Sequence, residues 1–221
     1  MSEPAMEFER ALRAARIVPV LTIERAEQAV PLARALVEGG LPVLEVTLRT
    51  AAAAEAARAI MAALPQALVG LGTLLAPADI DLAVELGARF AISPGTTPAL
   101  LAAARAARDV LPFMPGVATA SEAMAARAAG FTLLKFFPAE AAGGTSWLKG
   151  IAGPLPELRF CPTGGIGERN AADYLALGNV IAVGGSWMAP RADIEAGAWG
   201  RIAERARQAH GLIGQLPTIA V

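Results

Sequence analysis

The chain has 221 residues, of which 55% are hydrophobic, and carries a formal net charge of −1 with a pI near 5.9. That much apolar material can bury the core of one barrel-sized domain, here taken as residues 1–221. The charge balance argues against a basic nucleic-acid face, 5% aromatics argue against single-strand stacking platforms, and no apolar run reaches the length of a bilayer span.

The first segment, MSEPAMEFERALRAAR, mixes acidic and basic residues and lacks the apolar core of a signal peptide. We expect a helix over Pro4–Arg16, within residues 1–16, closing the bottom of whatever follows. Eight short apolar, β-rich runs come next, at Ile17–Thr22, Val43–Thr47, Ala67–Leu71, Phe90–Ser93, Leu111–Met114, Phe131–Phe136, Leu158–Cys161 and Val180–Val183. Their starts lie roughly 20–28 residues apart, with helical patterns between most of them. The Ala-rich stretches Thr50–Ala63 and Pro98–Ala107 are broken by Glu and Arg at helical spacing and read as surface helices. Thr97 before Pro98 suits an N-cap, Pro77 opens another helix, and Gly39, Gly87 and Gly130 stand where helices should stop.

Strands that are apolar throughout are covered on both faces, as in parallel sheets. Eight such units predict an α/β fold, a (β/α)8 TIM barrel with an extra N-terminal helix. A doubly wound open sheet is the alternative, but it rarely needs eight regular units.

In such a barrel the site lies at the C-terminal ends of the strands. The residues there are Glu45, Thr47 and Arg49, then Gly72 and Thr73, then Ser93, Pro94 and Gly95, then Pro115 and Gly116. Lys135 and Phe137, Thr163, Gly164 and Gly165, and Gly184, Gly185 and Ser186 complete the rim.

Lys135, in LLKFFPAE, is one of two lysines in a chain with 17 arginines. An ammonium among Leu133, Leu134, Phe136 and Phe137 is costly to desolvate. Unlike arginine, a lysine can lose its proton and form a Schiff base with a carbonyl. A lysine reaching from a strand end into solvent would read the same from this segment alone. Glu45 shares strand parity with Val43 and Thr47. It is either a general acid/base or the ion-pair partner of Arg49, whose fork also suits a substrate carboxylate. The turns PTGGIG and GGSW, either of which alone could be a tight turn, occupy the rim positions where such barrels hold phosphate, with Thr163 and Ser186 as hydroxyl donors.

One cysteine, Cys161, permits no intrachain disulfide and fits a reducing compartment, so we expect a cytoplasmic protein. One histidine, His210, in a polar helical stretch near the C-terminus, leaves no clustered zinc site of the usual N/S kind. Carboxylates still leave Mg²⁺ formally open.

The segments VLEVTLRT, VGLGTLL, FAISPG, KFFPAE, IAGP, RFCPTGGI and VGGSW, in this order, resemble the 2-keto-3-deoxy-6-phosphogluconate (KDPG) and 4-hydroxy-2-oxoglutarate (KHG) aldolase family from about Ile17 to the C-terminal helix. The resemblance implies a class I aldolase that cleaves KDPG to pyruvate and glyceraldehyde 3-phosphate in the Entner–Doudoroff pathway. Lys135 matches the Schiff-base lysine and Glu45 the proton-transferring carboxylate. Arg49 and Thr73 match residues that hold the pyruvyl portion, Thr163 a position of stereochemical control, and Gly164, Gly165 and Ser186 the phosphate site. Pro94, Phe137 and Gly184 complete the candidate substrate-binding set. No cofactor or metal is expected, and the expected partners are a phosphorylated 2-keto acid and, by resemblance, two further copies in a homotrimer. KHG or the galactonate epimer as substrate, or a non-catalytic sugar-phosphate-binding barrel, stay open as alternatives.

Overall fold

Each apolar run becomes a parallel strand because both of its faces find a partner. The computed structural model describes residues 2–214. In chain order the elements are α1 (Glu3–Ala15), β1 (Ile17–Leu21), α2 (Ala29–Glu38), β2 (Val43–Thr47), α3 (Ala53–Ala63), β3 (Leu68–Gly72), α4 (Pro77–Glu85) and β4 (Ala91–Ile92). There follow α5 (Pro98–Ala106), β5 (Phe113–Met114), β6 (Gly116–Val117), α6 (Ala120–Ala128), β7 (Leu133–Phe136) and α7 (Gly144–Ile151). The last are β8 (Arg159–Pro162), α8 (Ala171–Leu175), β9 (Val183–Gly185), α9 (Arg191–Glu195) and α10 (Trp199–Ile213).

The strands run parallel in the order β5-β4-β3-β2-β1-β9 and β6-β7-β8. Parallel bridges from Phe160 to Val180 and from Thr163 to Gly184 join β8 to β9. β5 and β6 are the two halves of one barrel strand, parted at Pro115, which has no N–H for the ladder. Beside that gap the Gly116 amide donates to Ser93 Oγ at 3.2 Å. Nine short segments thus occupy eight barrel positions, and the architecture is the expected TIM-barrel-like α/β fold.

Helix starts follow local chemistry. Thr97 Oγ1 accepts from the Leu100 amide, and Thr119 with Glu122 forms a reciprocal cap on α6. Gly87 and Gly130 stop their helices in the left-handed conformation, whereas α2 is stopped by Gly40 at φ 90° and Gly39 is only its cap. Among the described residues no helix is long and apolar enough to cross a membrane.

Strand alternation divides the core into two layers. Leu44, Val46, Val69 and Leu71 face outward and pack under the helices. Val18, Val43, Phe90, Ile92, Met114, Cys161 and Ile181 face the barrel axis. α1 inserts Phe8 and Leu12 into this inner layer, with Phe8 stacked on Phe90 at 4.5 Å between ring centroids. Arg16, which follows α1, is buried and donates to the carbonyls of Val180, Ile181 and Leu175, so the helix is tied to the segment leading into β9. The lower barrel is therefore filled, and polar chemistry is confined to the upper layer.

Candidate active site

Lys135 lies on β7, flanked in register by Gly116 and Cys161, so it points into the barrel. Glu45 points inward from β2, and Lys135 Nζ donates to Glu45 Oε1 at 2.9 Å. Their side chains are 4% and 2% exposed. Desolvating such a pair costs as much as the attraction returns, so it is weak evidence for stability. A cation and a carboxylate held dry at a barrel mouth are instead a candidate for chemistry. The Phe137 ring covers one side, with Nζ 5.6 Å from its centroid.

The alternative pairing of Glu45 with Arg49 does not form. Arg49 is exposed in the turn after β2, and no carboxylate of the described residues forms a salt bridge with it. Its guanidinium is available to an incoming anion. Higher on β2, Thr47 is fully buried and donates to the Leu21 carbonyl at 2.8 Å, and Thr22 Oγ1 lies 3.2 Å from its hydroxyl. The next rim residue, Thr73, holds φ at 64°, which is strained for a residue other than glycine. Strain of that kind collects where a backbone must face a ligand.

Thr163 and the glycines form the opposite wall. Thr163 is buried, and its Oγ1 has no hydrogen-bond partner among the described residues. Such a group costs stability unless a ligand satisfies it. Gly184 lies against that hydroxyl, where a Cβ would not fit. Gly164 and Gly165 hold φ at 101° and 79° and wrap against the turn after β7, facing Phe137 and Glu140 respectively. Ser186 is exposed just past β9, and Pro94 is half-buried after β4.

The sequence reading missed what holds this turn in place. The amides of Ala139 and Glu140 donate to the carbonyls of Thr163 and Gly164, and the buried Tyr174 hydroxyl donates to Glu140 Oε1. Burial first, then this hydrogen bond, raises the Tyr174 pKa, so the phenol stays a donor. Glu140 closes KFFPAE and Tyr174 is the chain's single tyrosine, but no spacing rule links the two. Cys161, beside Lys135, is a thiol that burial pushes up to about 12, which keeps it protonated and unreactive. Lys149 on α7 and His210 on α10 are exposed, as expected for surface residues. A cleft of about 590 Å³ opens at the other end of the barrel, along α1, and contains none of these residues.

Comparison with known proteins agrees with the geometry. A family profile for KDPG and KHG aldolases matches residues 8–205. The KHG/KDPG aldolase of Escherichia coli K12 is 50% identical over 201 residues, 91% of this chain and 93% of its own length. A crystal structure of KDPG aldolase from Legionella pneumophila, with pyruvate captured as a covalent carbinolamine intermediate, has a TM-score of 0.88 and 44% identity. It covers 93% of this chain and 97% of its own. The KDPG aldolase of Zymomonas mobilis ZM4, solved with 3-phosphoglycerate, has a TM-score of 0.86 and 42% identity over 94% of this chain and 97% of its own. The chain belongs to the KDPG and KHG aldolase family.

Proposed function

From that membership we propose that the protein is a Schiff-base aldolase cleaving KDPG to pyruvate and glyceraldehyde 3-phosphate. The observation that carries the proposal is the buried pair of Lys135 Nζ and Glu45 Oε1 at 2.9 Å. An amine that hands its proton to an adjacent carboxylate becomes a nucleophile without leaving its apolar setting.

The neutral amine of Lys135 adds to the 2-keto carbon to form a carbinolamine, and loss of water leaves a protonated imine. That imine is the electron sink, so the chemistry requires no metal. Glu45, directly or through a water, takes the proton of the 4-hydroxyl. The C3–C4 bond breaks, its electron pair enters the enamine, and glyceraldehyde 3-phosphate departs. The enamine is reprotonated at C3, and hydrolysis releases pyruvate and the amine. Each proton that Glu45 accepts is returned within the cycle.

The remaining roles belong to the same proposal. Arg49 and Thr73 hold the pyruvyl carboxylate, with Pro94 and Phe137 against its carbon skeleton. The unpartnered Thr163 hydroxyl sets stereochemistry. Gly164, Gly165, Gly184 and Ser186 receive the phosphate. Assembly as a homotrimer and a place in the Entner–Doudoroff pathway follow from the resemblance, and residence in the cytoplasm from the single cysteine. A second reading, turnover of 4-hydroxy-2-oxoglutarate, is favoured by the dual name of the E. coli relative and would use the same Lys135 and Glu45.

Borohydride reduction in the presence of pyruvate tests the imine. The adduct is expected on Lys135, absent in Lys135→Arg and unchanged in Lys149→Arg. An adduct mapped to Lys149, or substantial turnover by Lys135→Arg, refutes the assignment. A panel of phosphorylated and unphosphorylated 2-keto acids, assayed for pyruvate release, separates the two substrate readings.

A further inference from the structure

Glu45 reaches Lys135 across the upper inner face of β3, where Gly70 and Gly72 carry no side chains. β2 and β3 are paired with Glu45 opposite Gly70 and Thr47 opposite Gly72. A Cβ added to Gly70 would strike the Phe90 ring, and one added to Gly72 would strike Glu45. At Gly72 it would stand 2.6 Å from Glu45 Cγ and 2.7 Å from Cδ, and nearer still to Oε1. Three atoms along the side chain are hit, so a small twist of the carboxylate cannot clear the collision. The strand cannot back away cheaply either, because the Leu48 amide donates to the Gly72 carbonyl at 2.8 Å. Gly72 is not left-handed, so its backbone suits alanine and only space is at issue.

We propose that Gly72 is a positioning residue, whose missing side chain forms the seat in which the Glu45 carboxylate lies while bonded to Lys135. With a methyl group there, Glu45 must rotate off the amine, and a buried carboxylate and ammonium lose each other. The catalytic half of this inference rests on the reading of Glu45 as the proton-transfer group; the steric half does not.

The two halves are tested separately. Gly72→Ala is compared in the native chain and in Glu45→Ala, where the colliding atoms are gone. Thermal unfolding should fall in the first background and stay level or rise in the second. Equal falls in both, or failure of both to fold, overturn the seat. If Gly72→Ala alone does not fold and the double variant does, the asymmetry is the expected one at its limit. In the catalytic arm, Gly72→Ala should slow carbon–carbon cleavage toward the level of Glu45→Gln, about 10²–10⁴-fold. Gly72→Ala combined with Glu45→Gln should be no slower than Glu45→Gln alone, as for residues acting as a unit. Losses that multiply overturn the positioning role. A stability asymmetry in a protein that cleaves no aldol would leave the seat standing and remove the aldolase reading instead.

Discussion

Replacing Lys135 by Met keeps the length and apolar stem of the side chain and removes only its charge. Glu45, 2% exposed and bonded among the described residues only to Nζ 2.9 Å away, is then a buried carboxylate without that partner. Breaking a buried pair from one side typically costs about 3–5 kcal/mol. In a domain of this size each kcal/mol moves the melting point by roughly 2–4 °C, so Lys135→Met should lower it by roughly 6–20 °C. Lys135→Met with Glu45→Gln buries no charge and should recover most of that loss. Lys149→Met, at an exposed site on α7, is the control and should stay within about 0.5 kcal/mol of the native chain. Thermal and urea unfolding followed by circular dichroism, at one protein concentration throughout, reads these four proteins and Glu45→Gln alone. If Lys135→Met is as stable as the native chain, or the double variant loses the sum of its two singles, the charges are not coupled. The geometric basis of the mechanism would then be wrong.

Glu45→Gln should slow carbon–carbon cleavage by about 10²–10⁴-fold and slow exchange of the pyruvate methyl protons with it; exchange at the native rate would leave Glu45 a mere ion-pair partner. Gly165→Val places a β-branched residue at φ 79° with its Cβ 2.6 Å from Glu140 Cγ, so the loop must deform. Efficiency on the phosphorylated substrate should fall by orders of magnitude while borohydride trapping with pyruvate persists, because remote phosphate binding positions the reacting carbons. Equal losses in both assays would make the glycine a fold-keeping turn. Cys161, pushed from 9.0 to about 12 chiefly by burial, should resist iodoacetamide at pH 8 in the folded protein and react in urea. Because its folded pKa lies above the unfolded one, its stabilisation is complete below pH 9 and declines as the pH rises toward 12. Alkylation of the folded protein at the unfolded rate would refute the burial.

All eight barrel positions were legible because strand runs covered on both faces leave continuous apolar segments. Their ends were less so, and three of the misses share a cause. The apolar run Leu111–Met114 ends at Pro115, but the chain resumes pairing at Gly116–Val117. The run Ala67–Leu71 stopped one residue short of Gly72, and Val180–Val183 stopped before Gly184 and Gly185, which pair with Val18 and Pro19. Glycine and proline look like punctuation in a sequence, whereas in a barrel a bare backbone often marks a close approach by a neighbour. The lower barrel was also hidden, since nothing in MSEPAMEFERALRAAR announces that Phe8 will stack on Phe90.

The site divides along the same line. Parity placed Glu45 inward with Val43 and Thr47, and composition singled out Lys135, but neither could bring together residues 90 apart in sequence. Arg49 shares Glu45's parity and was a reasonable partner on paper. The strand ends at Thr47, so the turn carries Arg49 out to the rim, and closure of the barrel brings Lys135 to Glu45 instead. β3 decides how that pair fits. Gly70 and Gly72, two residues apart, leave its inner face empty at two heights, one taken by Phe90 and the other by Glu45. The same alternation therefore admits an apolar ring to the lower layer and a carboxylate to the upper one. In the sequence both glycines look alike, and they differ only through the side chain that closure brings opposite each. If that is right, Gly70→Ala should destabilise the barrel by displacing Phe90 and leave the chemistry per folded molecule unchanged. Gly72→Ala should cost turnover as well as stability, because the side chain it displaces is Glu45.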